Sequence, residues 1–375
     1  MRIVYLSSSI IPSGFANSIH VMKMCRAFAA NGHRVTLLAV QAARGAGVDG
    51  DYAYYGVDPC FEIVKCPHPK VRWLGSALHA LCAVRAVRAR PRPDLFYARY
   101  AYNLAAVSYL SLPMILEVHD VPSSRQVEAT LKRLFRKAHF VRLVAISKAL
   151  AEEYQRVFPE LSPDKIIVAH DGADLPQIYP DSVLTQWPGR PGGVLQVGYT
   201  GHLYSGRGIE VIIALASAMP DVDFHIVGGT DADVAKWRAV CLDHNLFFHG
   251  YVAPGEVAQH CAHFDVLLAP YQDRVATVGG RNTVRWMSPL KVFEYMALGK
   301  AMICSDLPVL HEVLTDQVNA LLVPPADHDA WAQALSLLKE NPELRARLGN
   351  AAKDEFMAHY TWEKRAAAVL NDLHS

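Results

Sequence analysis

Short apolar runs recur along the chain, set apart by loops and by longer stretches with apolar residues at helical spacing. "RIVYLSS" (2–8) is the first run, of strand type, and the loop "SIIPSGFANS" follows it. "IHVMKMCRAFAANGH" then carries apolar residues three and four apart and stops at Gly32; "RVTLLAV" (34–40) is a second strand. Strand, loop, helix and strand make one βαβ unit, which predicts a parallel sheet. Further strands are predicted at "LFYAR" (95–99), "PMILEVHD" (113–120), "LVAIS" (143–147) and "KIIVAH" (165–170), with helical segments between most of them. Residues 176–193 hold four prolines and three glycines and no apolar periodicity, so a boundary is expected there. The pattern then restarts. Strands are predicted at 194–201, 222–229, 246–252, 265–271, 301–304 and 320–325, and a helix at 208–219. The last helix, "TWEKRAAAVLNDL" (361–373), has no strand after it. Two α/β domains are expected, 1–180 and 190–358, with 359–375 as a C-terminal helix.

Composition narrows the function classes. The 375 residues suffice for two ordinary domains, and 51% are hydrophobic. A net charge of +1 argues against nucleic acid as the partner. Seven cysteines, scattered and without a CxxC pair, point to reduced thiols and a cytoplasmic setting. "MRIVYLSSS" is too short and polar for a signal peptide, and no apolar run approaches the ~18 residues that span a bilayer.

The candidate chemistry gathers in a few stretches. "SPLKVFEYMALGKAMICSDLP" (288–308) reads as a helix with Ser288 as N-cap, Pro289 at the first position and Gly299 just past its end. Lys291 stands in the first turn, where the helix dipole opposes a cation. Pro289 has no N–H, so Leu290 and Lys291 offer free amides. An anion between amides and lysine would resolve the conflict, which favours a phosphate ligand. A solvated Lys291 paired with Glu294 is the plain alternative. "YTGHLYSGRG" (199–208) is a glycine-rich strand-to-helix loop whose glycines permit close approach of a ligand and whose Arg207 could grip a diphosphate. His119 ends a very apolar strand, the place where parallel sheets face ligand, although a packed histidine is the commoner case. "HCAH" (260–263) lacks a third metal ligand, and no G-x-G-x-x-G dinucleotide fingerprint follows a strand.

Together these segments resemble retaining glycosyltransferase family 4, the glycosyl transferases group 1. The most specific stretch is "SPLKVFEYMALGKAMICSDLPVLHEVLTDQVNALLVPPAD" (288–327). "GHLYSGRG" looks like the family's donor-phosphate loop, "FFHGYV" its nucleobase-side strand and "HFDVLLAPY" the strand after it. "ANGHRVTLLAV", "VHD", "AISKAL", "HDGAD" and "YTWEKRAAAVL" are similar to further landmarks. The resemblance implies the α/β GT-B fold: two facing Rossmann-like parallel-sheet domains, the active site in the interdomain cleft, and a C-terminal helix crossing back to the first domain. It implies transfer of a sugar from a UDP- or GDP-sugar with retained anomeric configuration. His119, Arg207 and Lys291 would be catalytic. Gly14, Gly201, His202, Gly206, Gly250, Tyr251, Val252, Ser288, Pro289, Leu290 and Glu294 would bind the donor, with Glu294 on the ribose hydroxyls. No cofactor is implied beyond the nucleotide-sugar co-substrate, and no metal; "DAD" (231–233) is not in a convincing position for one. One departure stands out: Trp286 occupies the place of a usual first glutamate, eight positions before Glu294.

The implied acceptor is a glycan or a lipid-linked molecule. Residues 70–93 hold six cations and no acid, and 123–142 surround Val127, Leu131, Leu134 and Phe135 with basic residues. Such segments suit an anionic membrane surface, with Trp73, Leu131 and Phe135 inserting, or else a solvated basic face. The competing functions are another GT-B enzyme, such as a nucleotide-sugar epimerase or sugar-phosphate synthase, and a non-catalytic nucleotide-sugar binder.

Overall fold

The computed structural model describes all residues except 42–47, 68–71, 178–186, 191, 242, 276–281 and 374–375, and of 48, 49, 72–74 and 76 the backbone only. The chain divides into two units, residues 1–171 with 362–375, and residues 172–361. Much of the expected 176–193 boundary lies outside the described residues, as do Lys70, Val71 and the Trp73 side chain.

Strands of the first unit are β1 (Arg2–Ile11), β2 (Arg34–Gln41), β3 (Glu62–Cys66), β4 (Leu95–Ala98), β5 (Met114–Val118), β6 (Phe140–Ala145) and β7 (Ile166–Val168). Among the described residues they form one parallel sheet in the order β3-β2-β1-β4-β5-β6-β7. The chain reverses its direction of growth between β1 and β4, and in such sheets ligands generally bind beyond the carboxyl ends of the strands at that point. β1 is longer than its apolar run. A register shift between Leu6 and Ile10 lets Ile10 and Ile11 pair with Val40 and Gln41. The expected loop 9–18 therefore shrinks to 12–15, because a helix begins at Ala16. β3 was not predicted; it is an edge strand whose Glu62 and Lys65 break the apolar pattern.

The second unit holds β8 (Gln196–Thr200), β9 (Asp223–Val227), β10 (Leu246–Gly250), β11 (Val266–Ala269), β12 (Ala301–Ser305) and β13 (Leu321–Val323). Their parallel order is β10-β9-β8-β11-β12-β13, with the reversal between β8 and β11. Alternate residues divide between two cores. Val266, Leu268, Ala301 and Ile303 enter one, while Leu267, Ala269, Met302 and Cys304 enter the other. A sheet buried on both faces explains why these strands read as unbroken apolar runs.

Two expectations are overturned here. Cys66, ending β3, and Cys82, in the Arg72–Arg88 helix, form a disulfide with their Cα atoms 5.8 Å apart. The helix folds back on the strand and brings together thiols 16 residues apart, a spacing that carries no sequence signature. Leu131 and Phe135 are buried, as is Leu134, because the Arg125–Phe135 helix packs its apolar stripe inward. They are not free to enter a membrane. No helix among the described residues is long and apolar enough to cross one.

Candidate active site

In the second unit, the loop after β8, the segment after β11 and the N-terminus of the Leu290–Leu298 helix all lie at the carboxyl edge of the sheet. The helix begins one residue later than expected. Pro289 is the cap residue, extended at φ −79° and ψ 116°, and Ser288 lies outside the cap. With no side-chain cap, the Leu290 and Lys291 amides remain at the open end. Gly299 closes the helix in the left-handed conformation, φ 66°.

Lys291 is not a solvated residue. It is 8% exposed, and its Nζ sits 3.6 Å from the centroid of the Tyr199 ring and 5.2 Å from that of Tyr271. Arg207 Cζ lies 5.5 Å from the same Tyr271 ring. Lys291 Nζ and Arg207 Nε have no hydrogen-bond partner among the described residues. Burial, and then the Arg207 charge, push the Lys291 amine well below its ordinary range; Glu294 opposes the shift without reversing it. Two basic side chains lie close together, and among the described residues no carboxylate is hydrogen-bonded to Lys291 Nζ or Arg207 Nε. The plain alternative of a solvated Lys291 on the helix surface does not describe this buried amine.

The glycines of the loop have more than one task. A Cβ on Gly201 would stand 3.2 Å from Lys291 Nζ, so this glycine leaves room for the amine. A Cβ on Gly206 would fall 1.8 Å from the Arg274 carbonyl oxygen, and one on Gly208 1.8 Å from that of Pro270. Both have positive φ, 84° and 80°. Both are thus required for close packing against the protein's own backbone. His202 stacks on Tyr204 at 4.8 Å, and its carbonyl accepts from Tyr199 Oη at 2.7 Å. Gly250 ends β10 at φ 74°, its carbonyl accepting from Gly228 N at 2.7 Å; Tyr251 beyond it is exposed. Trp286 carries the Arg285 guanidinium over its ring at 5.9 Å. Asp233 of "DAD" forms a capping box with Thr230, which accounts for that acid without a metal.

In the first unit Gly14 lies in the short loop after β1, beside Ser13, whose N–H donates to Tyr55 Oη at 2.7 Å. His119 follows β5, and its Nε2 is bonded to Glu117. Glu117 belongs to none of the stretches singled out above for their chemistry. It is fully buried and takes Arg365 Nη1 at 3.0 Å and Tyr97 Oη on one oxygen. On the other it meets His119, His20 Nε2 at 2.6 Å and Arg99 Nε at 3.9 Å. His20 Nδ1 also lies 2.9 Å from Asp171 Oδ1. Neither His20 contact has hydrogen-bond alignment, so they are read as close electrostatic contacts. Arg365, on the Trp362–Leu370 helix, also donates to the carbonyls of His170 and Ala169. Burial alone would raise the Glu117 pKa, but Arg365, then His20 and His119, hold it well below the ordinary range. Burial and the Arg99 charge drive His119 down to about 3, so it is neutral. One sequence signal did exist: an acid inside the buried run "MILEV" has to be paired.

His20, His119 and Asp171 offer donor atoms within 4.8 Å of one another, a spacing a metal ion could share. Both His20 nitrogens already face carboxylates, and the Arg99 and Arg365 charges oppose a further cation. The group is better described as an ion-pair network. The "HCAH" histidines are placed elsewhere, His263 stacking on Trp187 at 4.4 Å.

Comparison with known proteins agrees with both halves. The model for Glycosyltransferase Family 4 matches residues 18–177, and that for Glycosyl transferases group 1 matches residues 195–341. Phosphatidyl-myo-inositol mannosyltransferase of Mycolicibacterium smegmatis is 24% identical, over 96% of this chain and 89% of its own. D-inositol 3-phosphate glycosyltransferase of Arthrobacter sp. is 24% identical, over 100% of this chain and 95% of its own. Anabaena HepE, solved in complex with UDP, superposes with a TM-score of 0.73 at 17% identity, over 100% of both chains. The shared fold is GT-B, built from two parallel-sheet α/β domains. With a family model matched in each half of its length, the chain belongs to the glycosyltransferases of family 4.

Proposed function

We propose that this glycosyltransferase moves a sugar from a UDP- or GDP-sugar to a glycan or lipid-linked acceptor, with retention at the anomeric carbon and without a metal ion. The observation that carries the reading is Lys291: a buried amine without a hydrogen bond among the described residues, on the first turn of a helix, beside Arg207. A diphosphate supplies the missing negative charge. Glu294, one turn on, would take the ribose hydroxyls, and Gly250 to Val252 would border the base. His119 would contact the sugar, with Gly14 leaving space for it. The acceptor oxygen bonds to the anomeric carbon as the bond to the diphosphate oxygen breaks on the same face. The acceptor proton passes to the departing phosphate, whose growing charge Arg207 and Lys291 neutralise. Two relatives, a phosphatidyl-myo-inositol mannosyltransferase and a D-inositol 3-phosphate glycosyltransferase, support a phosphorylated or lipid-linked acceptor.

The test is transfer by the purified chain from a panel of nucleotide sugars in the presence of EDTA. Turnover that survives the chelator is expected. No binding or turnover of any nucleotide sugar would defeat the reading, and loss with EDTA restored by magnesium or manganese would defeat its metal-free form.

A membrane-bound acceptor would be met through the first unit. With Leu131 and Phe135 buried, the apolar contribution passes to the Arg72–Arg88 helix. Leu78 and Leu81 are 37% and 45% exposed and share a face with exposed Arg85 and Arg88. Tyr109, 49% exposed, accepts from Arg88 Nε at 2.9 Å. Near an anionic surface each cation contributes about 1 kcal/mol. Co-sedimentation with phosphatidylserine vesicles at low salt is expected, with release as salt rises. Leu81→Ser with Arg85→Ser and Arg88→Ser should abolish it and leave nucleotide affinity intact. A wild type that ignores such vesicles would make the helix a solvated face.

A further inference from the structure

The network around Glu117 does more than satisfy a buried acid. A carboxylate can only accept, so the hydrogen between Glu117 and His119 belongs to His119 Nε2. A neutral imidazole has one N–H, and this one is committed. Nδ1 is then a bare lone pair. It has no hydrogen-bond partner among the described residues, and the side chain keeps 21% exposure at the carboxyl end of β5. The ring cannot readily turn, since His20 packs edge-to-face against it at 4.8 Å. The carboxylate cannot turn either. Arg365 and Tyr97 hold its second oxygen from the C-terminal helix and from β4.

We propose that Glu117 is a positioning residue, locking His119 as the Nε2–H tautomer so that Nδ1 accepts a hydrogen bond from a substrate hydroxyl. This deepens the function proposed above and rests on it. A site built to accept from an O–H rejects an analogue that lacks it, because the lone pair is left unmatched. The network thereby sets a specificity: the sugar must present a free hydroxyl, and a deoxy, fluoro or O-methyl replacement there is discriminated against.

The experiment is 15N NMR of the full chain labelled at histidine, with His119→Asn used to assign the signals. The wild type should show hydrogen on Nε2 and a bare Nδ1 throughout neutral pH. Glu117→Gln should give a mixture of tautomers and reduce kcat/KM for transfer about 100-fold, the scale of an ångström-sized misplacement. Should Glu117→Gln fail to fold, Glu117→Gln with Arg365→Met removes both buried charges together and serves the same measurement. Hydrogen on Nδ1 in the wild type would overturn the proposal, as would an unchanged tautomer in both variants. So would a zinc-induced shift of the His119 signals at one equivalent, which would make the cluster a metal site. The tautomer is read on the free protein. A chain that transfers sugar with hydrogen on Nδ1 overturns this inference alone, whereas a chain with the expected tautomer and no nucleotide-sugar activity counts against the proposed function alone.

Discussion

Lys291→Met should remove nearly all transfer activity while the free protein melts at or above the temperature of the wild type. Methionine keeps an unbranched stem against Tyr199 and deletes only the amine. In the free protein that amine is buried, without a hydrogen bond among the described residues and close to Arg207, an arrangement that costs stability. In the proposed reacting complex it would face the charge that grows on the leaving diphosphate. Losing one such donor costs about 3 kcal/mol, on the order of 100-fold, and the loss should fall on kcat. Arg207→Ala should behave alike in rate. Stability and activity moving in opposite directions is the signature of a site arranged for an absent anion. The pH dependence follows the same logic. The Lys291 amine is depressed by burial and by Arg207, with Glu294, Cys304 and Cys261 acting the other way. A diphosphate bound there, as proposed, would favour the protonated amine. Binding should therefore take up a proton, and affinity should fall as pH rises through the free-protein value. Calorimetry in two buffers of different ionisation heat reads the uptake directly. Near-normal turnover in Lys291→Met, or a lower melting temperature without loss of rate, would return Lys291 to a packing role.

Arg365→Ala should destabilise the first unit by about 3–5 kcal/mol, because it leaves the Glu117 carboxylate buried without its main counter-charge. The sign with pH is specific. In the wild type the Glu117 pKa is depressed below its ordinary value of 4.5, so its contribution is present above that value and is lost as pH falls through the folded pKa. Without Arg365, burial dominates and the folded pKa rises. The variant should then regain part of its lost stability on mild acidification, where the wild type gains nothing. Urea denaturation at neutral and at mildly acid pH measures both slopes. A variant with wild-type stability, or one whose deficit is the same at both pH values, would show that Glu117 is held by other groups.

Much of the fold was legible because its signals are local. The apolar runs, the helical spacing after each and the restart of the pattern are properties of contiguous segments. Each strand so predicted exists, most of them trimmed at their ends and β1, β2 and β12 extended. The exceptions have physical reasons. β3 is an edge strand with charged positions, and the tail of β1 is held by a register shift that pairs Ile10 with Val40. Leu131 and Phe135 show the limit of amphipathicity, since one stripe of apolar residues suits a core as well as a membrane.

Sequence by itself determined two parallel-sheet α/β domains and a lysine set against a helix dipole, a conflict visible within four residues. Only the tertiary structure decided what that lysine meets. Tyr199 and Arg207 lie far from it in the chain, and the missing hydrogen bond is a property of the assembled site. The Glu117 network lay further out of reach. Its members come from the Ala16–Ala30 helix, β4, β5, residue 171 and the C-terminal helix, and Arg365 stands 248 positions from the acid it pairs with. Periodicity records which face of an element is buried; which charges meet there depends on how distant segments pack, and a buried charge selects its partner by distance in space.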